Sequence, residues 1–162
     1  MGVMKNKVIF YGLLSSIIVV LLLRFHVAMI RYFDPDEFAH LHWAWLVSAG
    51  SLPYRDFFFY TTPLYQWFLL PLFTLPPSER VLLFARLWEF FLYLLNALFL
   101  FRIARRITKN EATSLLSLLI FATFPMTFDK TIDIRPDMLM TFFYFFAIER
   151  ILAWPVLTAK RI

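Results

Sequence analysis

The chain has 162 residues, of which 61% are hydrophobic and only 17% charged, and this excess of apolar residues predicts a membrane protein rather than a soluble domain. The absence of cysteine and the presence of only three glycines exclude disulfides, thiolate chemistry and glycine-rich phosphate loops. The formal net charge is +5, but the basic residues stand beside apolar runs, which indicates membrane topology rather than nucleic-acid binding.

The first predicted element is a membrane span at residues 8–30. Lys5 and Lys7 precede this apolar run, which satisfies the roughly 20 residues that a helix needs to cross a bilayer. We expect its one arginine, Arg24, to face protein or to extend toward the lipid headgroups. The run is too long for a signal peptide and no small-residue cleavage site follows it, so we expect an uncleaved span.

The sequence of residues 34–78 predicts two short helices that lie in the membrane interface. The first is predicted at about 36–49, because Gly50 after it is typical of a helix end. The second is predicted at about 63–74, which is too short to cross a bilayer. Tryptophan and tyrosine side chains recur in both segments, as is typical of interfacial helices.

The sequence Asp34-Pro35-Asp36-Glu37 fits the start of the first interfacial helix. Asp34 is expected to be the N-cap, Pro35 the first helical residue, and Glu37 the side chain that completes a capping box. Capping accounts for Asp34 and Glu37 but leaves Asp36 as a carboxylate without a structural task. Asp36 is therefore a candidate general base, with Glu37 beside it.

Three further spans are predicted at about residues 81–101, 111–127 and 138–156. Arg86 and Glu89 lie three positions apart in the first of them, a spacing that favours an ion pair on one helix face. The predicted fold class is therefore an all-α integral membrane protein. It forms one domain over the whole chain, with about four transmembrane helices and two interfacial helices.

The charged residues predict how the chain lies in the membrane. Basic clusters before the first span, after the second and after the fourth fall on one side, which the positive-inside rule assigns to the cytoplasm. We therefore expect a protein of the cytoplasmic (inner) membrane with a cytoplasmic N-terminus. Eight of the eleven acidic residues then converge on the outer face: Asp34, Asp36, Glu37, Asp56, Glu79, Asp129, Asp133 and Asp137.

Five other residues are candidates for a site on that outer face. His40 lies one helical turn from the candidate base and could orient it, although a histidine without a catalytic task is the simpler interpretation. Arg55 and Asp56 are adjacent between the interfacial helices, and they either organise this loop as an ion pair or contact substrate. Asp137 opens the last span beside Arg135, whose guanidinium suits a phosphate group.

Taken together, these features resemble the GT-C glycosyltransferases, in particular the protein O-mannosyltransferases, the lipid A aminoarabinose transferases and the Rgt-type bacterial sugar transferases (glycosyltransferase family 39-like). The resemblance is carried by an acidic pair after the first span, two interfacial helices, a Pro-Leu start to the second of them, and an aspartate that opens a later span. It covers about residues 8–150, in the segments DPDEFAHLHWAWLVSAGSLPYRDFFFYTTPLYQW, RLWEFFLYLLNALFLFRIARRI and IDIRPDMLMTFF.

The resemblance implies an enzyme that transfers a sugar from a polyprenyl-phosphate donor to a lipid, glycan or protein acceptor outside the cytoplasmic membrane. It implies that Asp36 is the base or orients the acceptor, that Glu37 stands beside it, and that Asp137 supports the site. Some relatives carry an acid linked to a divalent metal before the Pro-Leu start. Residues 60–63 here read Tyr-Thr-Thr-Pro, so Asp56 is the candidate left for a metal ligand.

Two other interpretations are open. The chain is a non-catalytic polytopic membrane protein, such as a carrier subunit or a scaffold, whose acids only cap helices, or it is an inactive fragment of a transferase. Members of this superfamily are several times longer, so the resemblance implies that this chain is the amino-terminal part of such an enzyme.

Overall fold

The structure, a computed structural model, describes residues 2–60, 62–74, 76, 78–124 and 132–154. Every regular element in these ranges is a helix, which confirms the all-α class. The helices are α1 (Gly2–Ile30), α2 (Pro35–Ser48), α3 (Leu64–Leu69), α4 (Val81–Thr108), α5 (Glu111–Thr123) and α6 (Asp137–Ala153), and a 3₁₀ turn, Leu70–Thr74, continues α3. An isolated bridge between Pro53 and Phe57 is the one β-type pairing among the described residues.

Two helices are long and apolar enough to cross a membrane: Lys7–Ile30, within α1, and Val81–Thr108, which is α4. The described parts of α5 and α6 have 13 and 17 residues, so the described chain holds two candidate spans where the sequence predicts four. The ends of the predicted third and fourth spans, at residues 125–127 and 155–156, lie outside the described residues.

Helix α4 is the central element of the bundle. It packs against α5 and α6, whereas α1 packs mainly against α5. The start of α4 meets the end of α1, where Arg86 donates to the carbonyl of Ala28, so the two candidate spans run antiparallel. The buried core lies where α2, α3, α4 and the start of α6 meet, and its members are Leu41, Ala44, Tyr65, Leu69, Leu72, Ala85, Leu92, Tyr93, Ile134, Met138 and Leu139.

The start of α2 is the capping box that the sequence predicts. The Asp34 carboxylate accepts a hydrogen bond from the backbone N–H of Asp36 at 3.0 Å, and the Glu37 carboxylate accepts one from the N–H of Asp34 at 2.9 Å. The N–H groups of Asp34 and Asp36 are thereby satisfied, and Pro35 at the first helical position has no N–H to satisfy. The helix ends at Ser48, and Gly50 follows with φ +90°, a conformation that glycine adopts without steric cost.

The second short helix, predicted at about 63–74, is present in two parts. Residues 64–69 are α-helical, and the chain then tightens into the 3₁₀ turn that contains Pro71. Proline cannot donate the i to i−4 hydrogen bond of an α-helix, so a change of helix type at this point is expected.

Helix α4 is longer than the predicted span of residues 81–101, because it continues to Thr108. Hydropathy locates where the apolar surface ends, whereas arginine is a good helix former and stabilises the carboxyl end of a helix dipole. Lys109, with φ 53°, ends the helix, and Asn110 caps α5 by accepting from the N–H of Thr113 at 3.1 Å. Arg102, Arg105 and Arg106, which follow the apolar run, therefore belong to the last two turns of α4.

The predicted ion pair between Arg86 and Glu89 is wrong. The Arg86 guanidinium binds Glu37, and the Glu89 carboxylate accepts a hydrogen bond from the Tyr65 hydroxyl at 2.6 Å. The three-residue spacing puts the two side chains on the same part of the helix, but each has a better partner on another element.

Candidate active site

The start of α2 is anchored by a buried ion pair between Arg86 and Glu37. Arg86 Nε donates to Glu37 Oε2 at 2.9 Å and Nη2 donates to Oε1 at 2.6 Å, a bidentate arrangement in which both side chains are essentially inaccessible. The same guanidinium donates to the backbone carbonyls of Ala28, Arg31 and Tyr32. One arginine of α4 therefore holds the end of α1 and the start of α2.

Glu37 also reaches the segment that precedes α6. Its Oε2 accepts a hydrogen bond from the backbone N–H of Ile134 at 3.3 Å, across 97 positions of sequence. Asp36 and Arg135 are the chain neighbours of these two residues. The buried contact therefore brings Asp36 close to Arg135 at the surface above it.

Arg135 lies between two carboxylates. Its Nη1 is 3.3 Å from Asp36 Oδ2, and its Nε is 3.4 Å from Asp137 Oδ2. The Asp36 and Asp137 side chains are 49% and 56% exposed and Arg135 is 31% exposed, so the cluster is open to a ligand. The structure thus brings together three residues that the sequence singles out from segments a hundred positions apart.

An apolar groove begins beside this cluster. It has a volume of about 540 Å³ and runs between residues 62–65 and one face of α6. Asp137 and Thr62 are polar residues of its lining, whereas most of its wall is made by Leu64, Leu139, Met140 and Phe143. The groove combines a charged mouth with an apolar body, which suits a ligand with a polar head and a hydrocarbon tail.

Buried polar side chains lie behind the cluster. His40 is 4% exposed and its Nδ1 is 3.4 Å from the Gln66 amide nitrogen. Burial lowers the pKa of the His40 imidazole; Asp36 opposes this, Arg135 reinforces it, and Asp137 opposes it. The sequence prediction that His40 lies near Asp36 is consistent with this electrostatic coupling, and the histidine is held neutral inside the protein.

Tyr65 and Glu89 form a second buried pair, which sequence reasoning missed. Burial, followed by the charge of Glu89, raises the pKa of the Tyr65 phenol well above its ordinary value, so Tyr65 stays a hydrogen-bond donor. Tyr65 also lines the groove that begins at Asp137. An acid inside an apolar helix was a signal for this pair, but its partner on α3 could not be read from spacing.

Arg31 and Asp133 form a further ion pair that the sequence did not indicate. Asp133 is 3% exposed and joins the end of α1 to the segment before α6, one residue before Ile134. The two segments that carry Asp36 and Arg135 are thus held by two ion pairs and by the hydrogen bond from the Ile134 N–H to the Glu37 carboxylate. Such multiple anchoring fixes the positions of the exposed side chains.

Arg55 and Asp56 have local contacts. Arg55 Nε and Nη2 donate to the two oxygens of Asp56 at 2.8 and 2.9 Å, and the N–H of Leu52 donates to Asp56 Oδ2 at 2.8 Å. These contacts, the arginine first, lower the pKa of Asp56 to about 2. The pair organises the turn in which Tyr54 has φ 68°, which confirms the predicted local ion pair. Its contact with substrate stays a prediction.

Among the described residues, no group of three or more histidine, aspartate or glutamate side chains is placed to hold a metal ion. Both oxygens of Asp56 accept hydrogen bonds in the described loop, from the Arg55 guanidinium and from the N–H of Leu52. The divalent metal that the resemblance implies stays a prediction.

Comparison of the chain with protein-family models, characterised proteins and solved structures found no significant match. The resemblance to GT-C glycosyltransferases rests on the motifs alone.

Proposed function

We propose that the chain is a membrane glycosyltransferase of GT-C type, or the part of one that carries the acceptor base. It moves a sugar from a polyprenyl-phosphate donor to an acceptor hydroxyl. The observation that carries this proposal is the position of Arg135 between Asp36 and Asp137, at the mouth of an apolar groove.

The groove and the arginine suit the two chemical parts of such a donor. An isoprenoid chain is apolar and needs a surface like that of Leu139, Met140 and Phe143. The phosphate needs a cation that donates more than one hydrogen bond, and guanidinium does this best. Arg135 Nε makes no hydrogen bond within the described residues, and its contacts with the two aspartates are longer than good hydrogen bonds.

Asp36 is the base in the proposed reaction. Its carboxylate takes the proton of the acceptor hydroxyl while that oxygen forms a bond to the anomeric carbon of the sugar. The bond between the anomeric carbon and the phosphate oxygen breaks, its electrons leave with the lipid phosphate, and the configuration at the anomeric carbon inverts. Arg135 stabilises the negative charge of the departing phosphate, and Asp137 orients Arg135.

Glu37 takes a positioning role in this proposal rather than that of a base. Its two oxygens are occupied by Arg86, by the N–H of Asp34 and by the N–H of Ile134, and its side chain is fully buried. A carboxylate held in this way cannot reach the hydroxyl group of a sugar acceptor. It does fix the position of the residue before it, Asp36.

The proposed membrane arrangement has four spans: the two candidate spans and two more, to which α5 and α6 belong. In this arrangement the N-terminus is cytoplasmic and the Asp36 end of the bundle faces outward from the cytoplasmic membrane. The support is that Lys7 and Arg105 line one crevice at the far end of α1 and α4 from Asp36, so basic residues lie at the end of the bundle that this arrangement assigns to the cytoplasm.

The test is sugar transfer by membranes that contain the protein as its gene encodes it. Membranes are supplied with radiolabelled polyprenyl-phosphate hexoses and pentoses, and the release of lipid phosphate and the labelling of endogenous acceptors are measured. We expect Asp36→Asn to lose transfer by about 10²-fold or more, as for removal of a general base. The matched control is Glu79→Gln, which removes an exposed carboxylate near the start of α4 instead.

A second candidate function is that of a non-catalytic membrane scaffold. The observation in its favour is that the capping box and the Arg86 contact account fully for Asp34 and Glu37. Transfer by Asp36→Asn at the wild-type rate, with normal expression, would favour the scaffold and remove the base assignment.

A further inference from the structure

A crevice lies at the end of the bundle away from Asp36. It has a volume of about 540 Å³ and is bounded by residues 7–11 of α1 and by the end of α4 with its connection to α5. The candidate active site uses none of its lining residues, of which Lys109 ends α4 and Asn110 caps α5.

Three cations line this crevice: Lys7, Arg105 and Lys109. The one carboxylate of the lining, Glu111, accepts a hydrogen bond from Arg105 at 2.9 Å, and the pair is only half-buried. Two lysine charges are left in excess. Lys109 has the left-handed backbone conformation, with φ 53°, in the tight connection between α4 and α5, so the fold fixes its Cα at this end of the bundle.

The crevice lies at one end of both candidate spans. Lys7 begins one candidate span, and Arg105 and Lys109 stand at the end of the other. The side chains of Phe10 and Tyr11, one turn deeper in α1, complete the wall on the apolar side. The lining therefore changes from basic to aromatic in the direction of the bilayer, as it must where a headgroup meets its acyl chains.

We propose that this crevice binds the phosphate of an anionic phospholipid, with Lys7 and Lys109 as the cations that contact it. The excess positive charge suits a phosphodiester that carries no compensating ammonium group, such as that of phosphatidylglycerol. A zwitterionic headgroup would place its own ammonium group among the lysines, and the repulsion between these cations would make its binding weaker. The aromatic wall favours a lipid over a free anion, because Phe10 and Tyr11 have nothing to contact in inorganic phosphate.

The experiment is lipid binding to the purified full chain in detergent, measured by native mass spectrometry during titration with phosphatidylglycerol or phosphatidylcholine. We expect the wild type to bind phosphatidylglycerol more tightly. Each of Lys7→Gln and Lys109→Gln should weaken that binding about fivefold, as expected for loss of one lysine at a membrane surface, and leave phosphatidylcholine binding unchanged. Arg80→Gln is the matched control, because it removes an exposed cation at the opposite end of α4.

Two outcomes would overturn the proposal. If Arg80→Gln weakens phosphatidylglycerol binding as much as the lysine variants do, the lipid responds to overall charge and not to the crevice. If inorganic phosphate displaces phosphatidylglycerol at equal concentration, the crevice is a simple anion site and the aromatic wall contributes nothing. Melting temperatures of all variants, measured in the same detergent, show that each one is folded.

Discussion

Arg86 forms a fully enclosed ion pair with Glu37, although 49 positions of sequence separate them. Around this pair the chain assembles the end of α1, the start of α2, the start of α4 and the segment before α6. The exposed contact between Asp36 and Arg135 lies directly above it. The buried pair therefore explains how two distant segments present their charged residues at one place.

Replacement of Arg86 tests this anchoring. Arg86→Met leaves the Glu37 carboxylate buried without its cation, and we expect a loss of about 3–5 kcal/mol in the free energy of unfolding. The double variant Glu37→Gln/Arg86→Met removes both charges and should recover part of that loss. Thermal unfolding in detergent measures the stability of the single and the double variant, and the exposed Arg80→Met is the control. A single variant as stable as this control would show that the ion pair does not hold the bundle.

Contacts made within a few residues were the predictable part of this structure. The capping box of Asp34 and Glu37, the helix end before Gly50 and the pair of Arg55 with Asp56 all follow from backbone geometry and short spacing. These features depend on hydrogen bonds inside one turn, so the local sequence contains both partners.

Long-range contacts were predictable only as consequences of a chemical hypothesis. The three-residue spacing suggested Glu89 as the partner of Arg86, because a spacing rule identifies partners only within one helix. The partner that packing provides is on α2. The transferase hypothesis required Asp36 and Arg135 to lie at one site. The structure shows this contact. The sugar transfer itself stays a prediction.

Tyr65 and Tyr93 offer a matched comparison of two buried hydroxyls. The Tyr65 hydroxyl donates to Glu89, whereas that of Tyr93 has no hydrogen-bond partner among the described residues. We expect Tyr65→Phe to cost about 1–3 kcal/mol, because the buried Glu89 carboxyl group loses its donor, and Tyr93→Phe to be nearly neutral. Denaturation of both variants in detergent checks this. Equal losses would mean that the hydrogen bond to Glu89 adds no stability, because both variants remove a buried hydroxyl and keep the ring.

Arg135→Lys separates the geometry of the guanidinium from its charge. Lysine keeps the positive charge between Asp36 and Asp137 but cannot donate two parallel hydrogen bonds to a phosphate. We expect at least about a tenfold loss in kcat/KM for the polyprenyl-phosphate sugar, as one strong hydrogen bond to a charged group is worth about 1.5–3 kcal/mol. The exposed Arg80→Lys is the control. Unchanged transfer by Arg135→Lys would limit Arg135 to a general electrostatic role.

His40 should make the fold sensitive to mild acid. Burial lowers the pKa of its imidazole in the folded chain, so between that value and the ordinary 6.5 the unfolded chain binds more protons than the folded one. Stability is therefore at its full value above pH 6.5 and falls as the pH decreases below it.

The measurement is the melting temperature of the full chain in detergent between pH 7.5 and about 5. We expect the decrease in the wild type to become smaller in His40→Gln, because glutamine does not titrate. His42→Gln is the matched control, since His42 lies two residues away on the exposed side of α2. A decrease that persists in His40→Gln and disappears in His42→Gln would assign the acid sensitivity to the exposed histidine and contradict the burial argument.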